Sequence, residues 1–107
     1  MAGDGNWVSV AKAAAIKPGD VMGVTLGKRE IALYNIGGTI YATDNLCTHA
    51  FAFLSQGWLD GEIIECPLHG GRFEVKTGKG LGAPISDDLK TYKVRVTGEE
   101  VQIQLDP

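Results

Sequence analysis

The sequence predicts an all-β domain: an antiparallel sandwich or barrel-like base of strands, interrupted by one small insertion. Three observations carry that prediction. Short β-prone runs alternate with turn residues along most of the chain. Two candidate hairpins close on short glycine-containing turns, Gly37-Gly38 and Gly98-Glu99. After Asp44 the pattern changes, in the stretch that holds both cysteines and both histidines of the chain.

In chain order, Trp7–Val10 reads as an edge strand, and Ala11–Ile16 as a helical turn ended by Lys17-Pro18-Gly19-Asp20. Val21–Leu26 is a strand, with Gly27-Lys28-Arg29 as its turn. Glu30–Ile36 and Thr39–Thr43 are the arms of a hairpin, because Gly-Gly tolerates the positive φ of a two-residue turn. Asn45–Ser55 has no clean period. Glu62–Cys66 is a short strand, Pro67–Gly71 a tight turn and Arg72–Val75 a returning strand. Lys76–Asp88 is rich in glycine and holds Pro84, so it is a loop. Thr91–Thr97 and Glu100–Leu105 form a closing hairpin. The expectation is one domain over residues 1–107, with a sub-domain of about residues 45–85 inserted in the β base. Rigid strands would then carry functional loops at their ends.

Bulk properties narrow the function. A chain of 107 residues buries about two-thirds of its unfolded surface, enough for a modest core. The formal charge of −3, with no basic stripe, argues against nucleic acid as a partner. No apolar run approaches the ~18–20 residues that cross a bilayer. Residues 1–6 lack an export signal, so the cytoplasm is the expected compartment. There, two cysteines serve as ligands or catalysts more often than as a disulfide.

The cysteines and histidines fall into two tight pairs of the same order, Cys47-x-His49 and Cys66-x-x-His69, with sixteen residues between His49 and Cys66. A Cys47–Cys66 disulfide would leave both histidines without a role. A structural zinc accepts two Cys and two His, but its familiar fingers pair Cys with Cys and His with His. A Cys/His nucleophilic dyad has no use for the second copy. A two-iron, two-sulfide cluster explains the duplication: one iron takes both thiolates and the other both imidazoles, each loop giving one ligand to each iron. Two ferric ions, two sulfides and two thiolates sum to zero charge. An electron is therefore added more easily than to an all-cysteine cluster carrying −2.

At these residues the chain resembles a known family. Cys47-Thr48-His49, the sixteen-residue gap and Cys66-Pro67-Leu68-His69-Gly70 resemble the Rieske box. The stretches "IYATDNLCTH", "IIECPLHGGRF" and "TGKGLGAP" are similar to Rieske ferredoxins of bacterial ring-hydroxylating oxygenase systems, the naphthalene-dioxygenase type above all. The resemblance covers almost the whole chain. It implies the Rieske fold and one Rieske 2Fe-2S cluster held by Cys47, His49, Cys66 and His69. It also implies a monomeric one-electron carrier between a flavin-containing NAD(P)H reductase and a terminal oxygenase. Such an oxygenase needs a mononuclear iron with two further histidines, which this chain lacks, so the protein is not expected to be an enzyme itself. A Rieske small subunit of a stable oxidase or reductase complex is the alternative.

Departures from high-potential relatives bear on the redox range. Where those carry a disulfide between the two loops, this chain aligns Ala52 and Leu68. Where they carry a Ser and a Tyr that donate to cluster sulfurs, it aligns Gly71 and Phe73. Lost donors lower the potential, so the low end of the Rieske range, roughly −150 mV, is expected. Asn45, Thr48, Gly70 and Gly71 are expected to shape the ligand loops, and Pro67 to stiffen the second. Gly82-Ala83-Pro84 resembles the family's proline loop that covers the cluster. Gly78–Gly82 matches no phosphate-binding motif. Core packing is the default for Phe51, Phe53, Leu54 and Trp58, with Phe51, just past His49, the best candidate for a partner contact. Asp44, Asp60, Glu62, Glu65, Asp87 and Asp88 read as solvated surface, with charge steering of a redox partner as the functional alternative.

Overall fold

The computed structural model describes residues 6–48, 51–68, 70–83, 85 and 87–105. Among them the chain forms β1 (Trp7–Lys12), β2 (Val21–Leu26), β3 (Arg29–Ile36), β4 (Thr39–Asp44), β5 (Trp58–Asp60), β6 (Ile63–Glu65), β7 (Arg72–Glu74), β8 (Thr91–Tyr92), β9 (Val94–Thr97) and β10 (Glu100–Gln104). Two 3₁₀ turns, Ala13–Ala15 and Leu54–Gln56, complete the regular structure. All the strand pairings are antiparallel, in three sheets ordered β1-β10-β9, β2-β3-β4-β8 and β5-β6-β7.

The four-stranded sheet separates two cores. Residues 31–35 of β3 are all buried, which explains why "IALYN" shows no polar alternation: a strand covered on both faces reads as an unbroken run. Successive side chains point to opposite faces. Ile31 and Leu33 pack with Val101 and Ile103 of β10 in one core. Ala32 and Tyr34 pack with Leu54, Ile64, Phe73 and both cysteines in the other. Tyr34 is the largest fully buried side chain in the cysteine-side core, and its hydroxyl meets Thr43 Oγ1 at 2.9 Å. Thr43 gives its single proton to the Asp44 carbonyl at 2.7 Å, so the phenol is the donor in that pair. Burial pushes the Tyr34 phenol well above the usual tyrosine range.

The β3–β4 hairpin turns on Gly37 and Gly38, with φ of 63° and 97°, as a two-residue turn with both central residues at positive φ requires. The side chain of buried Asn35 caps the turn by accepting the Gly38 N–H at 2.8 Å.

Several expectations need correction. The helical turn expected from Ala11 begins only at Ala13, because β1 continues to Lys12 through a bulge between Ser9 and Ala11. Arg29 belongs to β3, leaving a two-residue turn at Gly27-Lys28. Trp58–Asp60 is a strand the sequence did not announce. The single strand expected over Thr91–Thr97 is two. β8 pairs with β4 and β9 with β10, so the chain changes sheets at Lys93. Phe53 and Trp58 are not core: they are 37% and 60% exposed, and of the four candidates only Leu54 is buried. Among the described residues no helix is long and apolar enough to cross a membrane.

Candidate metal centre

Two loops rise from the cysteine-side core, and their first residues are the two cysteines. Cys47 follows β4 by three residues and Cys66 follows β6 directly. They are 4% and 0% exposed, lie in one hydrophobic cluster and form no disulfide, which removes that reading of the pair.

Each loop is closed in the same way. The Cys47 N–H donates to the Ala52 carbonyl at 2.9 Å, and the Cys66 N–H donates to the Gly71 carbonyl at 2.7 Å. Both bonds span five residues, and each encloses one histidine position of the sequence. His49 and His69 themselves lie outside the described residues, as does Pro84. Phe51, within the first closure, is 95% exposed, and Leu68, within the second, is 42% exposed.

The second loop shows how a backbone can serve a sulfur ligand. The Leu68 N–H donates to Cys66 Sγ at 3.4 Å, a contact that stabilises thiolate charge and tunes a metal held by it. Gly70 has φ of 68°, which an L-residue adopts only under strain. Pro67 is half-buried against Gly57, where an added Cβ would stand 3.2 Å from its ring. That same Cβ would be 2.0 Å from the Glu65 carbonyl oxygen, so only glycine fits beside the root of this loop.

Around the first loop side chains add to the backbone bonds. Asn45, 3% exposed, binds Ser55 twice, accepting its N–H at 2.8 Å and donating to its hydroxyl at 3.0 Å. The Thr48 hydroxyl donates to the Asp87 carbonyl at 2.9 Å, tying the first loop to residues 76–88 rather than aiming at sulfur. Within that segment Asp88 accepts the Gly80 N–H at 2.9 Å, and the Ile85 N–H donates to Gly82. At the foot of the first loop, the Tyr92 hydroxyl donates to Asp44 at 2.5 Å. Burial, reinforced by the Asp44 carboxylate, pushes the Tyr92 phenol up to about 12. Asp44 is thus a structural acceptor as well as a surface charge.

These residues fit an iron–sulfur cluster. Two buried thiols stand on matching closures, one with an amide already directed at its sulfur, in a core that excludes water. Phe73 is fully buried, and a phenylalanine there offers no hydroxyl to a cluster sulfur. The surroundings carry charge: Asp60, Glu62, Glu65, Glu74, Asp87 and Asp88 against Arg72, Lys76 and Lys79 place the chain's whole formal charge of −3 between residues 45 and 88. Exposed apolar side chains gather there too. Leu46, Phe51, Phe53, Trp58, Leu68 and Leu81 lie in this segment, and Val96 is the one large exposed hydrophobic described elsewhere.

Comparison with known proteins gives one consistent picture. The Rieske [2Fe-2S] domain matches residues 6–93. The ferredoxin component of the naphthalene 1,2-dioxygenase system of Pseudomonas aeruginosa is 52% identical over 99 residues, covering 92% of this chain and 95% of that protein. Among solved structures, a ferredoxin of Sphingomonas yanoikuyae B1 superposes with a TM-score of 0.89 at 39% identity, covering 94% of this chain and 100% of its own. A complex of reduced oxygenase and oxidised ferredoxin in carbazole 1,9a-dioxygenase matches with a TM-score of 0.86 at 40% identity, covering 92% of each chain.

Proposed function

The chain belongs to the Rieske [2Fe-2S] domain family, and from that premise we propose how its residues make it the electron-carrying component of an aromatic-ring dioxygenase system. It is an electron-transfer component rather than a catalyst, and its cofactor is one Rieske 2Fe-2S cluster. When bound, the cluster supplies one reversible electron.

Cys47 and Cys66 would hold one iron, and His49 and His69 the other. The observation that carries this assignment is the matched closure of the two loops, each rooted at a buried cysteine and each enclosing a histidine position. The loops stay in register through Gly70 and Gly71 on one side and Thr48 on the other, with Pro67 stiffening the second; the family resemblance gives Pro84, outside the described residues, the covering role. Residues 45–85 act as the cluster-bearing sub-domain of a single domain. Leu54 is buried in the core, whereas Phe51, two residues past His49 in sequence, presents its ring to solvent and forms the contact for a redox partner. That partner is a terminal oxygenase on the delivering side and a flavin-containing reductase on the supplying side. A monomer in the cytoplasm suits a carrier that must visit both.

The test is an absorption and EPR spectrum before and after dithionite, followed by reduction of a naphthalene-type oxygenase. A red-brown protein whose reduced signal has the low average g of mixed His/Cys ligation supports the assignment. A colourless protein with stoichiometric zinc defeats it. Phe51→Ala is expected to leave the spectrum and potential unchanged and to slow electron delivery to the oxygenase roughly tenfold or more, as loss of a hot-spot side chain does.

A further inference from the structure

The two ligand loops are rooted in different sheets, and the first needs a device the second does not. The second closes a regular hairpin, in which Glu65 of β6 faces Arg72 of β7 and the backbone alone brings its ends together. Among the described residues, the first has only one isolated bridge, Leu46 to Phe53, between its arms. Asn45 supplies what the ladder lacks. Its Oδ1 and Nδ2 hold Ser55, and its own N–H donates to the Glu30 carbonyl of β3 at 2.8 Å. One residue thus joins the far arm of the loop to the four-stranded sheet.

Gly23 of β2 completes the arrangement. A Cβ there would stand 2.8 Å from Ser55 Oγ and 2.9 Å from Asn45 Nδ2. The atoms that would have to give way are the two that make the side-chain bond. The backbone of Gly23 is not at positive φ, so close approach, rather than turn conformation, accounts for the glycine.

We propose that Gly23, Asn45 and Ser55 form a positioning joint that seats the first ligand loop on the four-stranded sheet and thereby sets the reduction potential of the cluster. The inference rests on the cluster assignment above. A cluster spanning two loops from two sheets takes its geometry from their relative placement. The second loop is fixed by its hairpin, so the joint determines where Cys47 stands relative to it. Amides aimed at sulfur, as the Leu68 N–H is at Cys66, stabilise added negative charge, so a loosened joint that lets the cluster shift from them lowers the potential. None of the three residues is a ligand; they act through Cys47.

The experiment compares holoprotein variants Ser55→Ala, Gly23→Ala and their double with Gly27→Ala. Gly27 sits in the β2–β3 turn at φ of 63° with no atom near its missing Cβ, so alanine there strains the backbone without touching the joint. Voltammetry gives the potential, EPR the line width, visible absorbance the rate of cluster loss, and far-UV circular dichroism the melting temperature. Ser55→Ala and Gly23→Ala are each expected to lower the potential, broaden the signal and speed cluster loss roughly tenfold. The double should add little to the larger single effect, since both break one contact. Gly27→Ala should lower only the melting temperature. Ser55→Ala and Gly23→Ala variants that lose melting temperature alone, with potential and line shape of the parent, would overturn the joint. A parent protein without visible absorbance would instead overturn the cluster assignment on which it rests.

Discussion

The first loop adds side-chain hydrogen bonds to its backbone closure, whereas the second stands on paired strands. Both end in the same five-residue closure from a cysteine N–H, yet the routes to it differ. Behind Cys66 stand two paired strands and Gly57, packed so tightly on the Glu65 carbonyl that no side chain fits. Behind Cys47 stand Asn45, Ser55, Tyr92 and Asp44, joined through hydrogen bonds of 2.5 to 3.0 Å. A backbone closure resists substitution except where a glycine is replaced. A side-chain closure can be changed in small steps, by removing one hydroxyl or one amide at a time. The lesson is that equal loop closure does not mean equal mutability.

The comparison can be broken or sharpened by substitution. The largest effect is expected where the loops are equivalent: Cys47→Ser and Cys66→Ser should each abolish the visible chromophore, read by absorbance and iron content. A variant of either that keeps full colour would show that the two thiols are not both ligands. Next comes Gly57→Ala. Overpacking against a backbone carbonyl costs about 3 kcal/mol, so denaturant unfolding should show a large loss, with cluster loss following from the second loop. An unchanged denaturation midpoint would mean that the packing behind Cys66 is looser than its contacts indicate.

Phe73→Tyr tests the second loop more gently. A hydroxyl at this fully buried position must find an acceptor, and the cluster sulfurs are the acceptors expected from the family resemblance. The potential should rise, as measured by voltammetry; a fall would mean that the hydroxyl binds elsewhere.

The smallest effect concerns the root of the first loop. The Tyr92 phenol is raised from 10.0 to about 12 in the folded chain. The folded state therefore holds its proton more tightly than the unfolded state. The stability this contributes is complete below about pH 10 and is lost as pH rises toward 12. Melting temperature should accordingly fall across that window, and Tyr92→Phe should flatten the Tyr92 share of the fall. Equal slopes for parent and variant would assign the alkaline loss to Tyr34 and other groups.

What could be read from the sequence was whatever residue type and short spacing encode. The two Cys/His pairs carry their chemistry in their identities, so the candidate ligands needed no fold. The Gly37-Gly38 turn announces its hairpin because few residues tolerate both positive φ values. The change of sheet at Lys93 was not legible: it depends on β4 and β10 each recruiting part of one β-prone run, a contest between distant partners. Trp58–Asp60 is too short to display an alternation. The exposure of Phe53 and Trp58 was also hidden, because hydrophobicity alone does not say which side of a strand or turn meets solvent. The Asn45–Ser55 pair spans ten residues of irregular chain, where no period connects the partners.

β3 lies inside the sheet that divides the two cores and gives alternate side chains to each, with every residue from 31 to 35 buried. Its amides are therefore expected to exchange with solvent deuterium only through global opening, whichever side is disturbed. The arms of the first loop, with one bridge between them among the described residues, can open locally and exchange far sooner. A carrier built this way can let one loop breathe while its interior keeps one clock.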